Sequence, residues 1–410
     1  MSSLRRILSA EWQSYADLLG LAVDGIADVV EEIHCAIPLG PVARQKEVQS
    51  RANGIAGLAY RAVHGINGVT VAVVRSALAT ASRAQNAGLL PSRPDNPASL
   101  EHASESLTAV LNGVIGDRLA AKGSALAITM QIRARGVPVP ITADALANAY
   151  AGASGRLVLM VHGLCMNDLQ WRRHNHDHGE ALARDLGLTP LYLHYNTGRH
   201  IHENGLDLAC LLERLTAAWP CPVDEINIVG HSMGGLVARS AVHHARESGK
   251  EWPERLERMV FLGTPHHGAP LERIGSRVNA WIESAPYLSA LARLGDVRSN
   301  GITDLYDGAV CAPDAAQEIT GASRRAVHVP LPKSVRCHAI AATLGQKQGD
   351  WRDLMLGDGL VPLDSALGRH QDKRLALQFS RRQWTAHATG HLDLLSDTKV
   401  YKRIRTWFSR

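Results

Sequence analysis

From residue 155 onward, short β-rich runs alternate with helical ones, and this alternation narrows the possible folds more than anything else in the chain. The runs "RLVLMVHG" (156–163), "PLYLHYN" (190–196), "EINIVGHS" (225–232) and "RMVFLGTP" (258–265) are separated by helical segments near 179–186, 203–218 and 233–248. Two further runs, "VRCHAIAATLG" (335–345) and "RLALQFS" (374–380), follow. Strands this apolar with a helix between each pair are what a sheet covered on both faces requires, because every parallel crossover lays a helix on it. The expected fold class is α/β, a doubly wound, mostly parallel sheet. With 410 residues and 45% apolar content, the chain can bury one large core and carry a second module.

That second module is read at the N-terminal end. From Leu4 through Leu8, Trp12, Tyr15, Leu19, Ala22, Ile26, Val29 and Ile33, apolar residues recur at three- and four-residue steps, the period of a helix. "IPLGP" at 37–41 stops it, and a second helical run follows over about 45–85. The longest uncharged piece of that run, "AVHGINGVTVAVV", is shorter than the roughly 20 residues that span a bilayer. Its small residues suit an intramolecular helix pair, or contact with a membrane surface or a protein partner. "PSRPDNP" at 91–97 reads as a linker, a further helix is expected at about 98–122, and "GVPVPIT" at 136–142 as extended chain. The expected division is an N-terminal helical region over 1–150 and a catalytic domain over 151–410. Within the latter, 268–333 lacks a clear strand and reads as a helical insertion over the sheet.

The chemistry centres on Gly230-His231-Ser232-Met233-Gly234, which follows an apolar strand and opens a helix. In that context G-x-S-x-G is a nucleophile elbow: the glycines admit a sharp turn that pushes the serine hydroxyl out of the sheet onto a helix N-terminus. A serine hydroxyl is a poor nucleophile at neutral pH and needs a histidine base oriented by a carboxylate. His391 in "TGHLDLLSD" follows the last expected strand and is the favoured base, with His387 as its rival. Asp358, in the tight turn "LGDGLVPLDSALG", is the favoured acid over Asp364 and Asp353. Acyl transfer also needs two backbone N–H donors for the oxyanion. Met233 after the serine and Leu164 in "VHGLCMND" are the candidates. His162 and His231 in these motifs, and His266 and His267 after a strand end, are candidates to line a substrate pocket.

Together "VHGL", "GHSMGG", "FLGTPHHG", "GDGLVP" and "GHLDLL", in this order over 156–395, resemble the α/β-hydrolase superfamily. Within it they are similar to the bacterial lipases and esterases and to the lipase-like domain of GPI inositol-deacylases. The resemblance implies an α/β-hydrolase sheet, a helical lid where the 268–333 insertion lies, a Ser-His-Asp triad, and an ester or lipid substrate without a cofactor. Secreted bacterial lipases hold calcium with an acid two residues after the catalytic histidine. Asp393 occupies that position, as a candidate calcium ligand or a plain capping residue.

Other classes are disfavoured. The net charge of +5 comes from Lys and Arg scattered among acids, without the basic stripe that nucleic acid requires. The six cysteines form no C-x-x-C pair. "HNHDHG" (174–179, with His174, His176 and His178 around Asp177) offers metal donors but no zinc-type spacing. Glu11 and Gln13 interrupt any signal-peptide core, so the expected compartment is the cytoplasm, with or without membrane association.

Overall fold

The computed structural model describes residues 97–270, 299–312, 327–347, 357–379 and 382–409. The expected helices before residue 91, the linker and most of the 268–333 insertion, with Trp281, Ile282, Tyr287 and Leu288, lie outside them, as does Asp353. The unit considered below comprises His102–Ala292 and Arg298–Arg410.

Its centre is an eight-stranded sheet in the order β2-β1-β4-β3-β5-β6-β7-β8. The strands are β1 Gln131–Ala134, β2 Val137–Val139, β3 Arg156–Val161, β4 Thr189–His194, β5 Glu225–His231, β6 Leu256–Leu262, β7 Arg336–Thr343 and β8 Gln383–His387. From β4 to β8 every neighbouring pair is parallel. The hairpin β1–β2 joins antiparallel to β4. Its two-residue turn places Arg135 and Gly136 at φ +53° and +81°, the left-handed pair that matches the twist of a tight hairpin.

The helices are α1 Pro97–Ala121, α2 Ala143–Ala149, α3 His178–Leu186, α4 Ile201–Ala218, α5 Met233–Glu247, α6 Asn300–Asp307, α7 Leu363–Ala366 and α8 Thr398–Phe408. One face of the sheet, with Val158 and Met160 of β3, Val229, Val260 and Ile340, packs with Leu182 of α3 and Val400, Ile404 and Phe408 of α8. Leu157 and Leu159 alternate to the other face and are equally buried. Burial on both faces is why the central strands read as unbroken apolar runs.

Residues 131–139, which the expected division places before the catalytic domain, form β1 and β2 and extend the sheet, with 137–139 inside the stretch expected to be extended. Four- and three-residue strands carry too short a pattern to be told from loop, and the pairing of β1 with β4 and of β2 with β1 decides them. The last strand is not 374–380 but "QWTAH" at 383–387, whose register with β7 runs from Ala339 against Gln383 to Thr343 against His387. Leu377 and Phe379 are buried without belonging to a strand: Leu377 N–H bonds the Gly368 carbonyl, and Phe379 meets Phe261 edge-on at 6.0 Å. Period-two apolarity there reflects packing against β6 and the end of α7. Among the described residues no helix is long and apolar enough to cross a membrane, and Cys165, Cys210, Cys221 and Cys337 form no disulfide.

Candidate active site

Ser232 stands between the end of β5 and the start of α5, with φ +52° and ψ −125°. Such a backbone costs about 1–3 kcal/mol for a residue with a Cβ and persists only where its surroundings over-determine it. Here they do. Ser232 N–H bonds the Leu262 carbonyl at 2.8 Å, and a Cβ on Gly230 would come to 2.7 Å of Gly235 Cα. A Cβ on Gly234 would run into the Val161 and His162 carbonyls, so strand, turn and helix pack closer than any side chain allows. The serine side chain makes no capping bond to its helix.

His391 and Asp358 meet in loops following β8 and β7. His391 Nδ1 lies 2.7 Å from Asp358 Oδ2, and both side chains are buried. The other carboxylate oxygen accepts the N–H groups of Leu360 at 3.0 Å and Val361 at 2.8 Å, and the Asp358 carbonyl accepts the His391 N–H at 3.1 Å. The remaining ring nitrogen, His391 Nε2, is buried without a hydrogen-bond partner among the described residues. Of the alternatives, Asp364 is exposed and bonds Arg369, and His387 does not bond Asp358.

His231 links the serine to this pair. Its Nε2 bonds the His391 carbonyl at 3.1 Å, and the two rings lie 4.7 Å apart. Burial, and then the neighbouring His391, hold the His231 pKa well below the usual value, so it stays neutral. His162 is likewise fully buried, stacked on Tyr195 at 4.5 Å, with its pKa pushed down to about 3 by desolvation. These two of the four histidines expected at a pocket are packed beneath the site.

The other two are not in that group. The His266 ring packs between Phe261 and Phe379, with Arg239 Nη1 3.3 Å from its Nδ1. His267 is partly buried, its N–H bonds Ser365 Oγ at 3.1 Å, and its ring lies 5.0 Å from His370. They fasten the end of β6 to α7.

The loop after β3 is built from more of the chain than its motif indicates. Leu164 N–H and the N–H of Met233, in the first turn of α5, have no partner among the described residues. Next to Leu164, Cys165 takes φ +58°, a strained value for a non-glycine residue. Its N–H bonds Thr197 Oγ1 at 3.1 Å, and Gly113 of α1 packs against its side chain so closely that a Cβ there would clash. Further along the loop, Asp168 bonds Arg133 of β1 at 3.0 Å, and Arg133 also grips both oxygens of Glu105 on α1 at 2.8 and 2.9 Å. Asp168 was visible in "VHGLCMND", but its partner Arg133 lies 35 residues upstream, so no local pattern announced the pair.

"HNHDHG" is used in full by the fold. Asp177 caps α3, His176 Nε2 meets His178 Nδ1 at 2.7 Å, and His178 Nε2 bonds the Leu394 carbonyl at 2.9 Å. These bonds tether the segment that follows His391. Asp393 is exposed, and its Oδ2 accepts the Gly390 N–H at 2.9 Å. That contact caps the turn between Gly390 and Asp393. Asn196 and Arg199 are structural too: Asn196 bonds the Gly116 carbonyl, and Arg199 pairs with Glu203 and Asp207.

Strand order, the serine elbow after the fifth strand, and the acid and histidine loops after the seventh and eighth define an α/β-hydrolase fold. Residues 152–329 match the family model of the PGAP1-like alpha/beta domain, in agreement with the resemblance carried by the motifs. No curated protein matches the chain. Solved structures similar to it include the mature Bacillus licheniformis lipase BlEst2, at 18% identity, covering 62% of this chain and 91% of that one with a TM-score of 0.39. The Pyrococcus furiosus esterase Pf2001 is similar at 16% identity over 63% and 81%, TM-score 0.38. Aspergillus fumigatus lipase B is similar at 12% identity over 65% and 58%, TM-score 0.35.

Proposed function

We propose that this chain is a serine hydrolase that cleaves carboxylic esters with an apolar acyl group. The observation that carries the reading is the pairing of a strained, uncapped Ser232 at the strand–helix turn with a buried His391–Asp358 couple whose Nε2 is unused. Ser232 Oγ attacks the ester carbonyl while His391 Nε2 takes its proton. Asp358 holds Nδ1 protonated and stabilises the imidazolium that forms. The Leu164 and Met233 amides receive the charge on the carbonyl oxygen, each such donor contributing a factor of roughly 100 to 1,000 in rate. Collapse of the tetrahedral adduct expels the alcohol, protonated by His391, and leaves an acyl-enzyme. Water, deprotonated by the same histidine, then releases the acid. The apolar acyl group follows from the motif resemblance to lipases and esterases.

The test is fluorophosphonate labelling of wild type and Ser232→Ala, with hydrolysis of p-nitrophenyl esters of graded chain length. Labelling and turnover confined to wild type support the proposal. Folded wild type that neither labels nor turns over any ester, with detergent present, overturns it.

A further inference from the structure

Two histidines and an aspartate meet away from the triad, where α6 touches the start of α4. His200, the residue before α4, His202 in its first turn, and Asp304 of α6 each bring one ligand atom to within 4.8 Å of the others. The imidazole rings of His200 and His202 lie 4.9 Å apart and 30° from parallel. Asp304 is buried and the two histidines are half-buried. The carboxylate is held in place: Asp304 Oδ2 accepts the Ile201 N–H at 2.8 Å and lies 3.0 Å from His200 Nδ1. The helix that carries it is fixed against the same loop, since Gly301 N–H bonds the Gly198 carbonyl at 3.0 Å.

We infer that His200, His202 and Asp304 form a binding site for a divalent transition metal ion of the zinc class. Two imidazoles and one carboxylate are a donor set for zinc, which accepts three protein ligands and a water in a tetrahedral shell at about 2.0–2.2 Å. The donor atoms lie within 4.8 Å of one another, so side-chain rotation of about an ångström brings them to a tetrahedral shell, and the backbone bond to Asp304 is the kind of outer-shell contact that orients a ligating carboxylate. A cation beside a helix N-terminus meets unfavourable charge, and the buried Asp304 carboxylate offsets it. The nearby Arg199 is already neutralised by Glu203 and Asp207. His200 and His202 belong to the segment after β4, and Asp304 to the region between β6 and β7. A bound ion therefore clamps the two segments together.

The full-length protein, stripped with a chelator and dialysed, is titrated with zinc against a chromophoric zinc indicator, for wild type, His202→Ala, Asp304→Asn and the double variant His243→Ala/His244→Ala. The last removes the other metal-capable group among the described residues, His243, His244 and Glu247 on the surface of α5. The expected result is one equivalent per chain, with affinity reduced about 10- to 100-fold or more in His202→Ala and Asp304→Asn and unchanged in the double variant. Retention in His202→Ala with loss in the double variant overturns the site, as does the absence of any stoichiometric binding by wild type. Should the single variants misfold, cobalt loading of wild type decides: a visible d–d spectrum of tetrahedral nitrogen and oxygen ligation supports the site, and a spectrum of aqueous octahedral cobalt overturns it.

Discussion

His391 Nδ1 lies 2.7 Å from a carboxylate oxygen of Asp358 whose partner oxygen is occupied by two backbone amides. The acid is thus fixed from one side and orients the ring on the other. Asp358→Asn keeps the shape but loses the anion that selects the tautomer. We expect kcat on a p-nitrophenyl ester to fall by about 10³–10⁴ with KM little changed. A loss below tenfold in steady-state kinetics would remove Asp358 from the mechanism proposed above.

Gly163 packs under the elbow. A Cβ there would stand 3.0 Å from Ser232 Cβ and 3.1 Å from His231 Nδ1, so Gly163→Ala displaces the serine by a few tenths of an ångström. Misplacement of a reacting group by about 1 Å costs on the order of 100-fold. We expect kcat/KM to drop roughly tenfold or more, with Tm within a few degrees of wild type.

Arg133 is buried between Asp168 and Glu105. Removing one partner of a buried pair strands the other, and Arg133→Ala should cost about 3–5 kcal/mol. Desolvation raises the Asp168 pKa against the pull of Arg133, so loss of the guanidinium leaves a buried carboxylate short of its strongest counter-charge. Arg133→Met combined with Asp168→Asn should recover part of the loss. Urea unfolding of the two variants measures both effects, and equal midpoints for single and double variants would contradict this account.

Burial pushes the pKa of His162 down to about 3 and of His178 to about 4, and His231 is also held well below its usual value. Each is neutral when folded and takes up a proton on unfolding below about pH 6.5, so the unfolded state gains protons as pH falls. Their contribution is complete above about pH 6.5 and is lost progressively toward pH 4 and below. Each group steepens the dependence by about 1.4 kcal/mol per pH unit. Urea midpoints should hold steady from pH 8 to 7 and fall steeply from pH 6 to 5. A midpoint flat across pH 7 to 5 would mean these imidazoles are not neutral and buried.

A chain beginning at residue 151 lacks α1, β1 and β2. It bares the hydrogen-bonding edge of β4 and the cover over Cys165, and an exposed strand edge is a template for association. We expect it to aggregate, and size-exclusion chromatography of the expressed fragment would show this. A monodisperse, ester-cleaving fragment would instead make β1 and β2 dispensable.

The parts legible in the residues alone were those encoded locally. Apolar runs such as "RLVLMV" and "EINIVG" declare buried parallel strands because both faces are covered, and the helices between them carry their own period and caps. The Ser232 turn is local too, since two flanking glycines and a following helix suffice to specify it. Between 97 and 150 the helix at about 98–122 was legible and is α1, whereas β1 and β2 were not: they are four and three residues long, and only the pairing of β1 with β4 and of β2 with β1 makes them strands. Among twenty histidines, residue type says nothing about role. Whether an imidazole meets Asp358, stacks on Tyr195, bonds Leu394 or faces Asp304 depends on contacts between positions up to 216 residues apart. Short-range propensity and periodicity act over a few bonds along the chain, whereas pairing, desolvation and charge are set by what the folded chain brings alongside.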